Sequence, residues 1–163
     1  MEEALQYGED GNALYVRAQG HIGTRLCADL KAKVFSRLEA QPPVQRLYVD
    51  LSSCSYMDST FMGLLVGFNK RLLRFSEKPI TILGANETCE KLLRTIGLTR
   101  MVEMSQESVA FPPTMAALGS SKADVDMLLG AHRELAAMSP ENEEAFAGLL
   151  SILEKKATEG PKE

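Results

Sequence analysis

The chain has 163 residues, 45% of them hydrophobic and 25% charged. That composition suits one folded domain with an appendage and excludes wholesale disorder. No apolar run reaches the ~18 residues a membrane-spanning helix needs. The acidic start Met1-Glu2-Glu3-Ala4-Leu5 lacks the apolar stretch of a secretory signal, so a cytoplasmic location is expected. The net charge of −4 is unevenly placed: residues 1–119 hold 13 basic and 13 acidic side chains, whereas residues 120–163 hold 5 and 9. There is no basic stripe for nucleic acid, and an anionic membrane surface would repel the acidic tail.

Asn12 to Gly20 reads as a strand, with Leu14, Val16 and Ala18 on one face. Asp10-Gly11-Asn12 is a turn signal before it, and residues 4–8 are its candidate hairpin partner. A helix is predicted from Thr24, as N-cap, to Glu39, with Leu26, Leu30, Val34 and Leu38 recurring every four residues and Pro42-Pro43 ending it. Val44–Leu51 reads as a second, buried strand, and Ser52–Tyr56 as a polar loop. From Ser59 to Phe75 the period becomes helical: Phe61, Leu64, Leu65, Phe68, Leu72 and Phe75 form one stripe, widened by Met62, Val66 and Leu73. Pro79–Gly84 is a short apolar strand. Asn86 is a good N-cap for a helix to Ile96, with Gly97 as its terminator, and Met101–Met104 is a last short strand.

Residues 105–121, with Pro112-Pro113 and Gly119-Ser120-Ser121, read as linker or irregular chain. Two more helical patterns follow. The first spans about 122–138, with Val125, Leu128, Leu129, His132 and Leu135 on one face. The second is capped by Ser139, begins at Pro140, and carries the stripe Phe146, Leu149, Leu150 and Leu153. Two short helices cannot hide their stripes alone. Packing on the domain or pairing with a second copy is favoured over a free docking arm, because an exposed stripe is a liability. His132 on that face reads as a packed histidine rather than a pH sensor.

Cys27, Cys54 and Cys89 are widely spaced and make no Cys-x-x-Cys pair, which points to free thiols in a reducing compartment. His21 and His132 lie far apart with no ligands clustered around them, so no metal and no cofactor are expected. Gly63 and Gly67 fall inside a helical pattern rather than in a phosphate-cradling loop. His21 and His132 are the only imidazoles and make no Ser/His/acid arrangement with a credible base, so the chain reads as non-catalytic.

The notable junction is Ser52 to Thr60, where a buried strand gives way to clustered hydroxyls at a helix start. Asp58 can cap the free N–H groups of the first turn, which puts Ser59 at the first helical position. On local spacing alone these are capping residues, a device shared by very many helices.

The wider stretch alters that balance. Leu47-Tyr48-Val49-Asp50-Leu51-Ser52, followed by Tyr56-Met57-Asp58-Ser59-Thr60-Phe61-Met62-Gly63-Leu64-Leu65, resembles the STAS domain of bacterial anti-sigma factor antagonists. Ile80–Gly84 and Glu90–Leu98 match the next strand and helix in order, so the resemblance covers about residues 4–111. It implies a mixed β-sheet of four to five strands with helices covering one face. To this the chain adds a C-terminal helical hairpin at 122–156, after a linker at 112–121 and before a disordered tail at 157–163.

In function, the resemblance implies a phosphorylation-controlled binding module. It would bind an anti-sigma factor with serine kinase activity while Ser59 is unmodified, release it when Ser59 (less readily Thr60) is phosphorylated, and be reset by a serine phosphatase. Ser55, Met57, Asp58, Ser59, Thr60, Phe61 and Met62 form the expected partner-binding patch. Phe61 stands where the family usually has glycine; an aromatic this bulky beside Ser59 is expected either to alter how a kinase approaches or to anchor a different partner. A homodimer through the C-terminal helices is a further expectation. The alternatives are a scaffold or sensory STAS module in a larger assembly, and a small-molecule or lipid binder.

Overall fold

The computed structural model describes residues 2–159. β1 (Ala4–Asp10) and β2 (Ala13–Ile22) form an antiparallel hairpin. Gly11 at its turn has φ +62°, a left-handed conformation that glycine adopts without the penalty of a Cβ. A short 3₁₀ turn at Thr24–Leu26 leads into α1 (Cys27–Glu39). Then come β3 (Arg46–Met57), α2 (Ser59–Leu72), β4 (Thr81–Leu83), α3 (Glu87–Thr95), β5 (Glu103–Ser105) and β6 (Ala116–Ala117). The sheet runs β5-β4-β3-β2-β1-β6, parallel from β2 through β5 and antiparallel where β1 meets β2 and β6. It is thus a mixed sheet of six strands, where four to five were expected.

The core lies between the sheet and α1, α2 and α3. Leu14, Val16 and Ala18 of β2 and Leu47, Val49 and Leu51 of β3 alternate inward and are almost fully buried. α1 supplies Leu30, Val34 and Leu38, and α2 supplies Phe61, Leu64, Leu65 and Phe68. On the other face Tyr15 stacks on Tyr48 at 5.4 Å, and the edge of Phe111 meets Tyr15 at 5.0 Å. Arg17 lies over Phe111 and pairs with Asp50 at 3.3 Å. Phe111 belongs to the segment that returns across this face to become β6.

Several sequence expectations shift. Ser52–Tyr56 is not a loop but the second half of β3, which stays paired with β2 through two register shifts: Gln19 faces Ser53, Gly20 faces Cys54, and His21 faces Tyr56. Such bulges increase the bend and re-aim side chains, here at the strand end that delivers Asp58. The segment expected as a linker at 112–121 contains β6, which pairs Ala117 with Gln6 and Ala116 with Tyr7. Leu73 and Phe75, read as part of the α2 stripe, lie at or past the helix end and are exposed.

Asp124 caps α4 (Val125–Ala136), accepting from the Met127 N–H at 2.7 Å. The Ser139 hydroxyl accepts from the Asn142 N–H at 3.1 Å at the start of α5 (Pro140–Glu159). Residues 157–159, expected to be disordered, continue α5; the rest of that expected tail, residues 160–163, lies outside the described residues. Among the described residues no helix is long and apolar enough to cross a membrane.

Candidate functional site at the start of α2

The site is built where β3 delivers the chain to α2. The Asp58 backbone N–H donates to the Ile22 carbonyl at 3.1 Å, which fixes the end of β3 against the end of β2. One Asp58 carboxylate oxygen accepts from the Phe61 N–H at 3.0 Å, the expected cap. Its other oxygen accepts from the Thr24 hydroxyl at 2.9 Å. Thr24 had been expected to cap its own helix. It instead spends its proton on Asp58, and its oxygen lies 3.2 Å from the Thr60 hydroxyl. Both oxygens of Asp58 are therefore structurally engaged. Beneath them, burial and then the Asp58 charge push the Cys27 thiol up to about 12.

Ser59 occupies the first position of α2 and is partly buried. Its hydroxyl lies 2.8 Å from Nε2 of His132, a residue of α4 that is 73 positions away and 3% exposed. The other ring nitrogen, Nδ1, lies 2.7 Å from the Leu128 carbonyl. A carbonyl can only accept, so Nδ1 carries the proton; in the neutral ring Nε2 is then the acceptor and Ser59 donates to it. His132 is packed, as its sequence position suggested, and it also sets a base against Ser59, where the sequence offered no credible one. Linear spacing hid this pairing.

The expected partner patch is only partly at the surface. Ser55 is exposed, and its neighbour Tyr56, not singled out from sequence, is 41% exposed. Met57 and Phe61 are fully buried, Thr60 is 3% exposed and Met62 5%. Phe61 does not stand beside the Ser59 hydroxyl. Two residues along a helix turn the side chain by about 200°, which sends Phe61 into the core and away from any approaching kinase.

α4 lies against this end of α2. A side-chain carbon on Gly63 would fall 2.7 Å from the Ala131 carbonyl carbon and 2.9 Å from its Cβ, so only glycine permits this helix approach. Lys70 of α2 pairs with Glu134 of α4 at 3.1 Å. At the corner of the hairpin, the buried Asn142 amide donates to the carbonyls of Ile96 and Leu135, each at 2.9 Å, and so binds the hairpin to the end of α3. The hairpin therefore packs on its own domain, one of the two outcomes favoured from sequence.

Residues 5–103 match the family model described as "Mlab, STAS domain". The chain belongs to the STAS domain family. Anti-sigma-B factor antagonists of Staphylococcus aureus are 35% identical over 66 residues, which is 40% of this chain and 60% of theirs. Among solved STAS relatives, the anti-sigma factor antagonist SpoIIAA in its unphosphorylated form superposes with a TM-score of 0.57 at 21% identity, over 64% of this chain and 90% of its own. The Bacillus cell fate determinant SpoIIAA in its phosphorylated form gives 0.52 at 20%, over 64% and 93%. These structural likenesses establish the STAS fold. α4 and α5 lie beyond the segment that the STAS model matches.

Proposed function

We propose that this STAS protein is an anti-sigma factor antagonist. It is a non-catalytic, cytoplasmic binding module that holds an anti-sigma factor with serine kinase activity while Ser59 is unmodified and releases it when Ser59 is phosphorylated. A serine phosphatase returns it to the binding state. The observation that carries this reading is the placement of Ser59: a hydroxyl at the first position of a capped helix, inside the segment that matches the family. The names of the Staphylococcus relatives support the partner class.

The physical chemistry fits a switch that leaves the fold intact. A phosphate brings about −1.5 to −2 charges and three acceptor oxygens. A helix N-terminus tolerates that charge through its free N–H groups and dipole. Asp58 is held by Phe61 and Thr24, so the cap persists while negative charge beside it becomes dense. Repulsion and desolvation then fall on whatever docks there. Thr60 is the poorer acceptor because it is 3% exposed and bonded to Thr24. The surface open to a partner narrows to Ser55 and Tyr56, with Asp58 and Ser59 partly buried beside them and Met62 buried.

The test is co-purification of the anti-sigma factor with the full chain carrying Ser59→Ala or Ser59→Asp, with phosphopeptide mass spectrometry of the protein from its native cell. Retention by Ser59→Ala, loss by Ser59→Asp and phosphate on Ser59 are expected. Equal binding by both variants refutes the switch. A scaffold reading is favoured by the exposed Leu149 and Ile152 of α5, the surface on which a homodimer through the C-terminal helices would form. A large homomeric particle on gel filtration would favour it.

A further inference from the structure

α2 is enclosed on more sides than a domain of this kind requires. Ten consecutive residues, Thr60 to Asn69, are buried. A helix laid on a sheet leaves its outer face in water; here α4 takes the place of that water. The face it takes is the one bearing Ser59 and Gly63, the strip that the proposed function assigns to the partner and the kinase.

Resting on that reading, we propose that the α4–α5 hairpin is a built-in cover over Ser59. In the closed arrangement the Ser59 hydroxyl is engaged by His132, and the strip running from Ser59 through Gly63 to Lys70 is occupied. Phosphorylation and docking both require α4 to leave, so α4 and the partner compete for one surface.

Three observations carry this. First, the His132 ring sits 2.8 Å from the Ser59 oxygen, in the space that three phosphate oxygens would need, and the serine's own proton is committed to the ring. Second, the seating is shape-matched rather than incidental: the bare Gly63 backbone accepts the Ala131 backbone at a separation no side chain allows. Third, the cover is held chiefly by apolar contact, through Met127 and Leu135 of α4 in the common core, and its polar ties are few. Its connection to the domain is anchored up to Ser121, whose N–H donates to the Arg25 carbonyl at 2.9 Å. Only residues 122–124 then separate this anchor from α4, and none of them is in a helix or strand. The Lys70–Glu134 pair is half exposed at the lysine and so adds little hold. The Asn142 bonds to Ile96 and Leu135 are the firmer clasp.

The consequence for binding is set by populations: a partner that needs the open form binds more weakly by the fraction of molecules that are open. Loosening α4 should therefore tighten apparent partner binding and speed any modification of position 59 by the same factor.

The test uses the full chain with Ser59→Cys, since the three native thiols are buried. The probe is a water-soluble maleimide. Labelling of Cys at position 59 should be slow in that parent and at least about tenfold faster when either Leu135→Asp or Ala131→Leu is added, because both residues lie on the buried face of α4 that seats it on the domain. Amide exchange in β2 and β3 checks that the sheet stays folded in each variant. Labelling of the parent at the rate of an unhindered thiol, or no acceleration in either folded variant, overturns the proposal. With Ser59 restored, the same α4 variants are titrated with the anti-sigma factor and should bind it more tightly. A variant that labels fast yet fails to bind refutes the docking reading and leaves the cover standing.

Discussion

α2 and α5 both carry an apolar stripe, and the protein treats them oppositely. α2 is 14 residues long and buries eleven of them, because the sheet lies on one side and α4 on the other. α5 is 20 residues long and buries two, Asn142 and Leu153, while Leu149 and Ile152 stay 39% and 55% exposed. The difference teaches that a stripe in the sequence reports only that a face is apolar. How deeply it is buried depends on how many layers meet it, which is a property of the whole chain. It also ranks the two regions. The sheet with α1, α2 and α3 is the structural body, and the hairpin is a thinner layer held at the Ser59–Gly63 strip, through Met127 and Leu135 in the core, and at Asn142.

The largest effect that would test this ranking is at Phe68. Its ring is fully buried and meets Phe35 edge-on at 5.3 Å. Phe68→Ala should cost about 3–5 kcal/mol, through lost transfer energy and the cavity left behind. Denaturant unfolding should show one transition displaced for the whole protein; loss confined to the hairpin would contradict the ranking.

A middle effect belongs to Leu153, the one apolar side chain of α5 that is nearly fully buried. Leu153→Ala should cost about 2 kcal/mol, at the low end for such truncations because a thin layer can relax around the gap. Amide exchange should accelerate in α4 and α5 and stay unchanged in β2 and β3, since local opening follows local contact. Equal acceleration in the sheet would mean that the hairpin and domain unfold as one unit.

Much of this architecture was legible in the sequence because it rests on local rules. The caps at Asp58, Asn86 and Ser139 are read from residue type, and all three accept the N–H bond expected of them. Gly97, with φ +88°, sits where a left-handed residue ends α3. What escaped depends on distant partners. Ser52–Tyr56 is polar because that half of β3 turns most side chains outward beyond the bulges, and a polar strand imitates a loop. Residues 116–117 become a strand only because β1 offers an open edge. The Ser59–His132 contact spans 73 positions, and no local period encodes it. Phe61 differs for another reason: it is close to Ser59 in sequence but about 200° away around the helix, and its ring is fully buried.

The smallest expected effect concerns the charges that join α4 to α5. Arg133 and Glu154 lie 3.6 Å apart, and their side chains are 59% and 54% exposed. Pairs in water gain little Coulomb energy, cost side-chain entropy and are screened by salt. Glu154→Gln should therefore change stability by less than about 0.5 kcal/mol, and salt should scarcely alter the melting of the hairpin. The contrast with Leu153, its immediate neighbour, makes the measurement informative: adjacent residues on one helix, one facing in and one facing out, should differ severalfold. A Glu154→Gln loss as large as that of Leu153→Ala, removed by added salt, would show that charge rather than the apolar seam holds the two helices together. The cover over Ser59 would then loosen with ionic strength.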